Sequence, residues 1–361
     1  MLESPLITPL ALKPDFEEAK RRWLAFWEHE IIDRPCCVIR ASKDGRQRTP
    51  GPAYMAGARE DFGSVIDQVL ASAESLYWGG EAIPSYVPSF GPDQMAAWTG
   101  AELRFAEDDL HTSWAVPCIE DWERALPLRL GPENPWWQRF LGFLRALREA
   151  CRGNLLITHV DLHSNMDLLL AMRGGQRLCT DLADVPETID RAMSSARALY
   201  RPVYEGIYEA AGMGDGGTLG WVHAYHPVRT NTIQCDFAAL IGPRHFRRWA
   251  LPALEEEAAY LRHCVYHYDG PECLVHLDDI CGIPGLDCIQ WVHGARNRPF
   301  TEWMDLLKEI QSRRVAVWIP CNTQSIKVFH RELKPNLLFY DCWAPSPQAA
   351  EETLDWLRRN T

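Results

Sequence analysis

The stretch CVYHYDGPECLVHLDDICGIPGLDCIQWVHG, residues 264–294, decides the fold. It opens on a short β-branched and aromatic run, 264–270, that Asp269-Gly270-Pro271 closes as a turn. Beyond the proline, Cys273 and His276 belong to a helical stretch and face away from the strand end. A second apolar run follows at 286–294. Strand, helix and strand within about thirty residues is the pattern of a parallel βαβ unit.

Working outward, the same rhythm repeats. Strand-like runs lie at 82–90, 114–119, 154–163, 217–225, 264–270, 286–294, 314–321 and 336–342. Helical patterns separate them, among them 185–211, which opens on Pro186-Glu187, and 243–264. Eight such runs predict an α/β fold, a (β/α)8 TIM barrel. The region 1–75 is expected to be a helical extension packed on it, with an amphipathic helix over 16–32 and a short strand at CCVIRA. The barrel itself is expected over 76–361, as a single structural domain overall.

The composition narrows the function classes. Hydrophobic residues make up 47% and charged residues 24% of 361, as in a globular protein. A net charge of −12 argues against a nucleic-acid partner held through phosphates. Without an apolar run near the ~20 residues of a membrane span, a soluble, cytoplasmic protein is expected. Twelve cysteines lie mostly within apolar runs and read as core fillers.

Barrel enzymes place their chemistry at the C-terminal ends of the strands. Those ends carry His159, Asp161 and His163; Trp221, His223 and His226, with Asp236 beyond; His267 and Asp269; and Gln290, Trp291 and His293. His267 and Asp269 stand two apart on one strand and therefore share a face, where they supply two ligands of a catalytic metal. As an isolated tripeptide the same residues read first as an Asp-Gly turn beside a hydrogen-bonded histidine. Asp236 suits a proton-handling role and a helix N-cap equally. Histidines 223 and 226 are candidates to orient substrate or move protons. Asp161 and Gln290 are candidate substrate ligands, and Trp221 and Trp291 candidate pocket walls that suit a methylammonium group.

The segments DFAALIGPRHFRRWALPAL and YHYDGPECLVHLDDICGIPGLDCIQWVHG, with the eightfold rhythm, resemble the uroporphyrinogen decarboxylase superfamily. The likeness is nearest to its decarboxylase-like branch, grouped with the corrinoid and coenzyme M methyltransferases. It implies a barrel with a cleft at the strand ends and a small substrate, a methylated compound or methyl acceptor. It also implies a zinc ion, a corrinoid on a partner protein and a homodimer. Carried across, His267, Asp269 and Cys342 become the metal ligands, although Asp269 stands where the methyltransferases have a cysteine. That departure favours a harder metal site and leaves a metal-dependent lyase, decarboxylase or hydrolase, or a non-catalytic binding homologue, as alternatives. The decarboxylase itself fits poorly, because its R-Q-A-G-R and F-S-D-I-L motifs are absent.

Overall fold

The computed structural model describes residues 10–43, 48–106, 112–294 and 298–361. Its strands are β1 Cys36–Ser42, β2 Leu76–Gly80, β3 Ser85–Tyr86, β4 Glu102–Phe105, β5 Ser113–Val116, β6 Leu156–Ile157 and β7 Thr218–Leu219. They continue with β8 Tyr225–His226, β9 Asn231–Gln234, β10 Cys264–Asp269, β11 Leu286–Val292, β12 Ala316–Asn322 and β13 Leu338–Trp343. Seven strands form one sheet in the order β2-β1-β13-β12-β11-β10-β9, parallel except for β2 against β1. The protein is thus an α/β fold with a large, mostly parallel central sheet. Parallel strands are covered by helices on the crossover side, so their runs are near-continuously apolar, as in VAVWI and NLLFY.

Local sequence explains the main helices. Asn134 accepts from the backbone N–H groups of Trp136 and Trp137 and, with Pro135 in the first turn, starts the helix Pro135–Cys151. Pro186 starts the 26-residue helix Pro186–Ala211, which stops where Gly212 turns left-handed. Ser346 caps the last helix, Pro347–Asn360, through Ala349 N–H. The pattern at 243–264 is broken into Pro243–His245, a π-type turn Phe246–Ala250 and the helix Leu251–Leu261. Pro252 lacks the N–H that would continue one regular ladder.

Several expectations are corrected here. The run at 114–119 contributes β5, which pairs with β4 as a separate antiparallel hairpin. The run at 217–225 forms the small antiparallel pair β7–β8. The strand beside β10 is instead Asn231–Gln234, polar in sequence and fully buried. Its polarity is met in part, since Asn231 Nδ2 donates to Val160 O at 3.0 Å, while Asn231 Oδ1, Thr232 Oγ1 and Gln234 Oε1 are buried without a partner among the described residues. The region 1–75 does more than pack on the sheet, because β1 lies inside it, between β2 and β13. No helix among the described residues is long and apolar enough to cross a membrane.

Candidate functional site

The C-terminal ends of the parallel strands bring several acidic and imidazole groups together. His267 faces Gln290 across β10 and β11, with Nδ1 2.7 Å from Oε1. With the amide oxygen as acceptor, Nδ1 carries the hydrogen and Nε2 is left as the basic nitrogen. Trp221 meets the His267 ring edge-on at 5.1 Å. Its indole N–H is buried and unpartnered among the described residues. Asp269, two residues on, shares the face of His267, and Gly270 turns the chain at φ +84 behind it.

The centre of the site is a histidine that the expectations placed at a strand end without a role. His163 lies with Nδ1 3.5 Å from Asp93 Oδ1 and Nε2 3.5 Å from Asp161 Oδ2 and 3.6 Å from Asp236 Oδ2. Burial alone lowers an imidazolium, but Asp161, Asp93, Asp167 and Asp236 outweigh it and raise His163 to about 10. Asp161 is pushed upward by burial, against the pull of His163. Burial, more than any neighbour, also raises Asp269. Asp167 opens the helix Asn165–Arg173 and accepts from Asp236 N–H at 2.9 Å and Phe237 N–H at 2.8 Å. It is therefore Asp167 that caps the 3-10 turn Asp236–Leu240, leaving the Asp236 carboxylate free to face His163. Burial and then Asp236 raise Asp167 to about 7.

Beside this acidic cluster lies a basic one. Arg40 of β1 is ion-paired with Asp341 of β13. The guanidiniums of Arg40 and Arg48 lie 5.6 and 5.4 Å from the Trp343 ring. Together with Tyr54, Ser85, Tyr86 and His223, the two arginines line a cavity of about 270 Å³. His223 has a left-handed backbone, and its Nδ1 is 3.1 Å from Ser85 Oγ. Burial and Arg40 lower it to about 4, so it stays neutral near pH 7.

Three candidates fall elsewhere. His226 stacks near His263 at 4.9 Å and Trp27 at 6.4 Å. His263 immediately precedes β10, so His226 lies at the opposite, N-terminal end of the strands. Trp291 is fully buried against Tyr268 and Trp303, at 5.4 and 5.0 Å. Side chains alternate along a strand, so Gln290 toward His267 puts Trp291 toward the helix layer. Cys342 is the third. Its strand neighbour Asp341 reaches Arg40, and Tyr340, of the same parity as Cys342, contacts His330 of the helix Ser325–Glu332. Cys342 is buried on that helix side, beside Cys321.

The expected His267, Asp269 and Cys342 set therefore does not fit a zinc ion, because its thiol is on the other face of the sheet. Among the described residues, no group of three or more His, Cys, Asp or Glu is placed to hold a metal. The cluster has unpartnered acceptors instead: Asp161 Oδ1, Gln234 Oε1, Asp236 Oδ1 and Asp269 Oδ1 are buried without a partner among the described residues. Such oxygens call for a ligand that carries hydrogen-bond donors or positive charge.

No protein-family model matches the chain, and no curated protein matches it. Among solved structures, a methyltransferase from Methanosarcina mazei is similar to it, over 94% of this chain and 98% of that one, with a TM-score of 0.61. At 15% sequence identity, that likeness is one of fold.

Proposed function

We propose that the protein is a methyltransferase-like enzyme of the uroporphyrinogen decarboxylase superfamily. Its substrate in this reading is a small molecule with an acidic group at one end and a methylated amine at the other. The observation that carries the reading is His163 held among Asp93, Asp161 and Asp236, on the rim shared with His267 and Trp221. The fold likeness to a methyltransferase is consistent with it.

The reading takes the sheet as part of a (β/α)8 barrel. Supporting this, His159 N–H donates to Leu219 O at 2.7 Å, which ties the end of β6 to β7. Gly220, next in the chain, lies against the backbone of Asn231 in β9. The chain thus continues laterally from β3 and β6 toward β9.

The acidic group of the substrate sits in the Arg40 and Arg48 cavity, where neutral His223 and Ser85 add hydrogen bonds. The amine end then meets the unpartnered carboxylate oxygens and the Trp221 indole. When the methyl group leaves, the nitrogen gains an electron pair and must be protonated. His163, raised to about 10, is matched to an amine of similar basicity and gives up its proton to it. His267, fixed by Gln290, orients the substrate from the other side. A corrinoid on a partner protein would supply the methyl-accepting centre.

The test is methyl transfer from a panel of N-methylated amino acids to reduced cobalamin, followed by its absorbance. Transfer with at least one donor is expected, and His163→Gln is expected to slow it by about 100-fold or more. Failure of every donor with the wild-type protein, or an unchanged rate in His163→Gln, rejects the reading.

A further inference from the structure

The outer helices Pro186–Ala211 and Leu251–Leu261 enclose a second cavity, of about 180 Å³, to which none of the rim residues contributes. Arg197, Tyr200, Arg201, Glu256, Glu257 and Tyr260 line it. Its floor is Glu257 and Tyr200, 4% and 5% exposed. Ser164 Oγ donates to Glu257 Oε1 at 2.7 Å. Glu257 Oε2 and the Tyr200 hydroxyl are buried without a hydrogen-bond partner among the described residues. A buried carboxyl oxygen and a phenol without partners, on residues that line one cavity, are groups that a donor-bearing ligand can satisfy.

The charges around the cavity point to the kind of partner. Arg197 is paired with Glu256, and Arg229 nearby with Glu205. Arg201 stacks over Tyr260 at 5.5 Å and has no ion pair among the described residues. One guanidinium and one carboxyl are left over, and both line the same space. We propose that this cavity is a binding site for a small zwitterion of the α-amino acid class, its ammonium on Glu257 Oε2 and Tyr200 and its carboxylate on Arg201. A ligand of either single charge satisfies only one of the two groups. Burial raises Glu257 to about 8, so the empty cavity keeps the proton and an arriving ammonium expels it.

The site does not depend on the methyl-transfer reading, but it touches the same rim. Asn165 Nδ2 lies 3.4 Å from Glu257 Oε1 and donates to Gln234 O at 2.9 Å. Ser164 and Asn165 directly follow His163 in the chain.

Titration calorimetry of the purified protein with glycine tests the proposal, with acetate and methylamine as single-charge probes. In Arg48→Ala, where the rim cavity is impaired, one saturable event is expected for glycine, with both other probes weaker by about tenfold or more. Measured near pH 7 in buffers of different ionisation heat, glycine binding should release protons. Arg201→Ala, an exposed position, and Tyr200→Phe should each weaken glycine by about tenfold. Arg48→Ala, which alters only the rim cavity, should leave it unchanged. Absence of saturable glycine binding overturns the proposal. So does binding that survives Arg201→Ala, or that is lost equally in Arg48→Ala.

Discussion

His163 is held by Asp161, Nε2 to Oδ2 at 3.5 Å, inside a site where burial alone would strip the imidazole of its charge. The folded protein therefore binds this proton more tightly than the unfolded chain does. The stability it brings is fully present below about pH 6.5 and fades as pH rises through about 10. Asp161→Asn removes the largest of the acidic neighbours. The His163 ring signals, followed by NMR, should titrate at lower pH in this variant, and stability at pH 7 should drop by about 1–3 kcal/mol. Release of Asp161 from its repulsion with Asp236 and Asp93 keeps the loss at the lower end. An unmoved His163 titration would falsify the assignment of Asp161 as its main partner.

Glu257 works in the same direction, over a lower range of pH. Its folded value is raised from 4.5 to about 8, so the folded state keeps a proton that the unfolded chain has released. Stability should fall as pH rises from about 4.5 to 8 and level off beyond. Glu257→Gln keeps the acceptor for Ser164 and removes the titration. Urea melts across that range should be flatter for the variant, with a gain of about 1–3 kcal/mol at pH 8 relative to its wild-type difference at pH 5. Parallel profiles for the two proteins would reject this account.

Arg48 borders the rim cavity and shares Trp343 with Arg40. For any acid-bearing substrate found for the enzyme, Arg48→Ala should raise KM by about tenfold with a smaller change in kcat, the mark of lost uniform binding. Arg40→Ala should be costlier and should also lower stability, because it strands Asp341. Equal, unchanged KM values in both variants would place the acidic group elsewhere.

Cys342→Ala and His226→Ala separate the observed geometry from the expected metal set. Cys342 lies toward the helices and His226 at the far end of the strands. Cys342→Ala should lower stability by about 1 kcal/mol through the small void it leaves and should not change the metal content of the purified protein. His226→Ala should leave kcat and KM within about twofold of wild type. Metal lost from Cys342→Ala would show that its thiol faces the rim after all.

Much of this arrangement was legible in the sequence. The strand-helix rhythm from residue 264 onward gave β10 to β13 in order, because parallel, helix-covered strands are apolar throughout and stand out from their surroundings. It failed at NTIQ, a strand that is polar in sequence, whose Asn231 finds its partner in Val160 far back in the chain. LYWGG was passed over as well, because a five-residue strand that ends in two glycines does not stand out as an apolar run. In the site, His267 and Asp269 were read together because their spacing on one strand fixes a shared face, and the register of the next strand brings Gln290 beside His267. Cys342 and Trp291 were misplaced by a single residue of strand parity, which a run of alternating apolar residues on both faces does not reveal. Asp93 and Asp167 were missed because nothing local marks them: one precedes a short helix, the other sits in the first turn of a longer one. The signal was present in His163, which stood two residues from Asp161 on a strand end.

The placement of β1 has a consequence for how the molecule is made. Its parallel partner β13 lies about 300 residues downstream, so Val38 meets Asp341 only when nearly the whole chain exists. During synthesis the β10 to β12 portion can assemble as its helices and strands emerge. The Arg40 and Asp341 pair, and with it the basic half of the rim, cannot form until the ribosome has delivered the last strand. A nascent chain stalled before residue 338 would carry the histidines and aspartates of the acidic half but lack the Asp341 that holds Arg40 beside them.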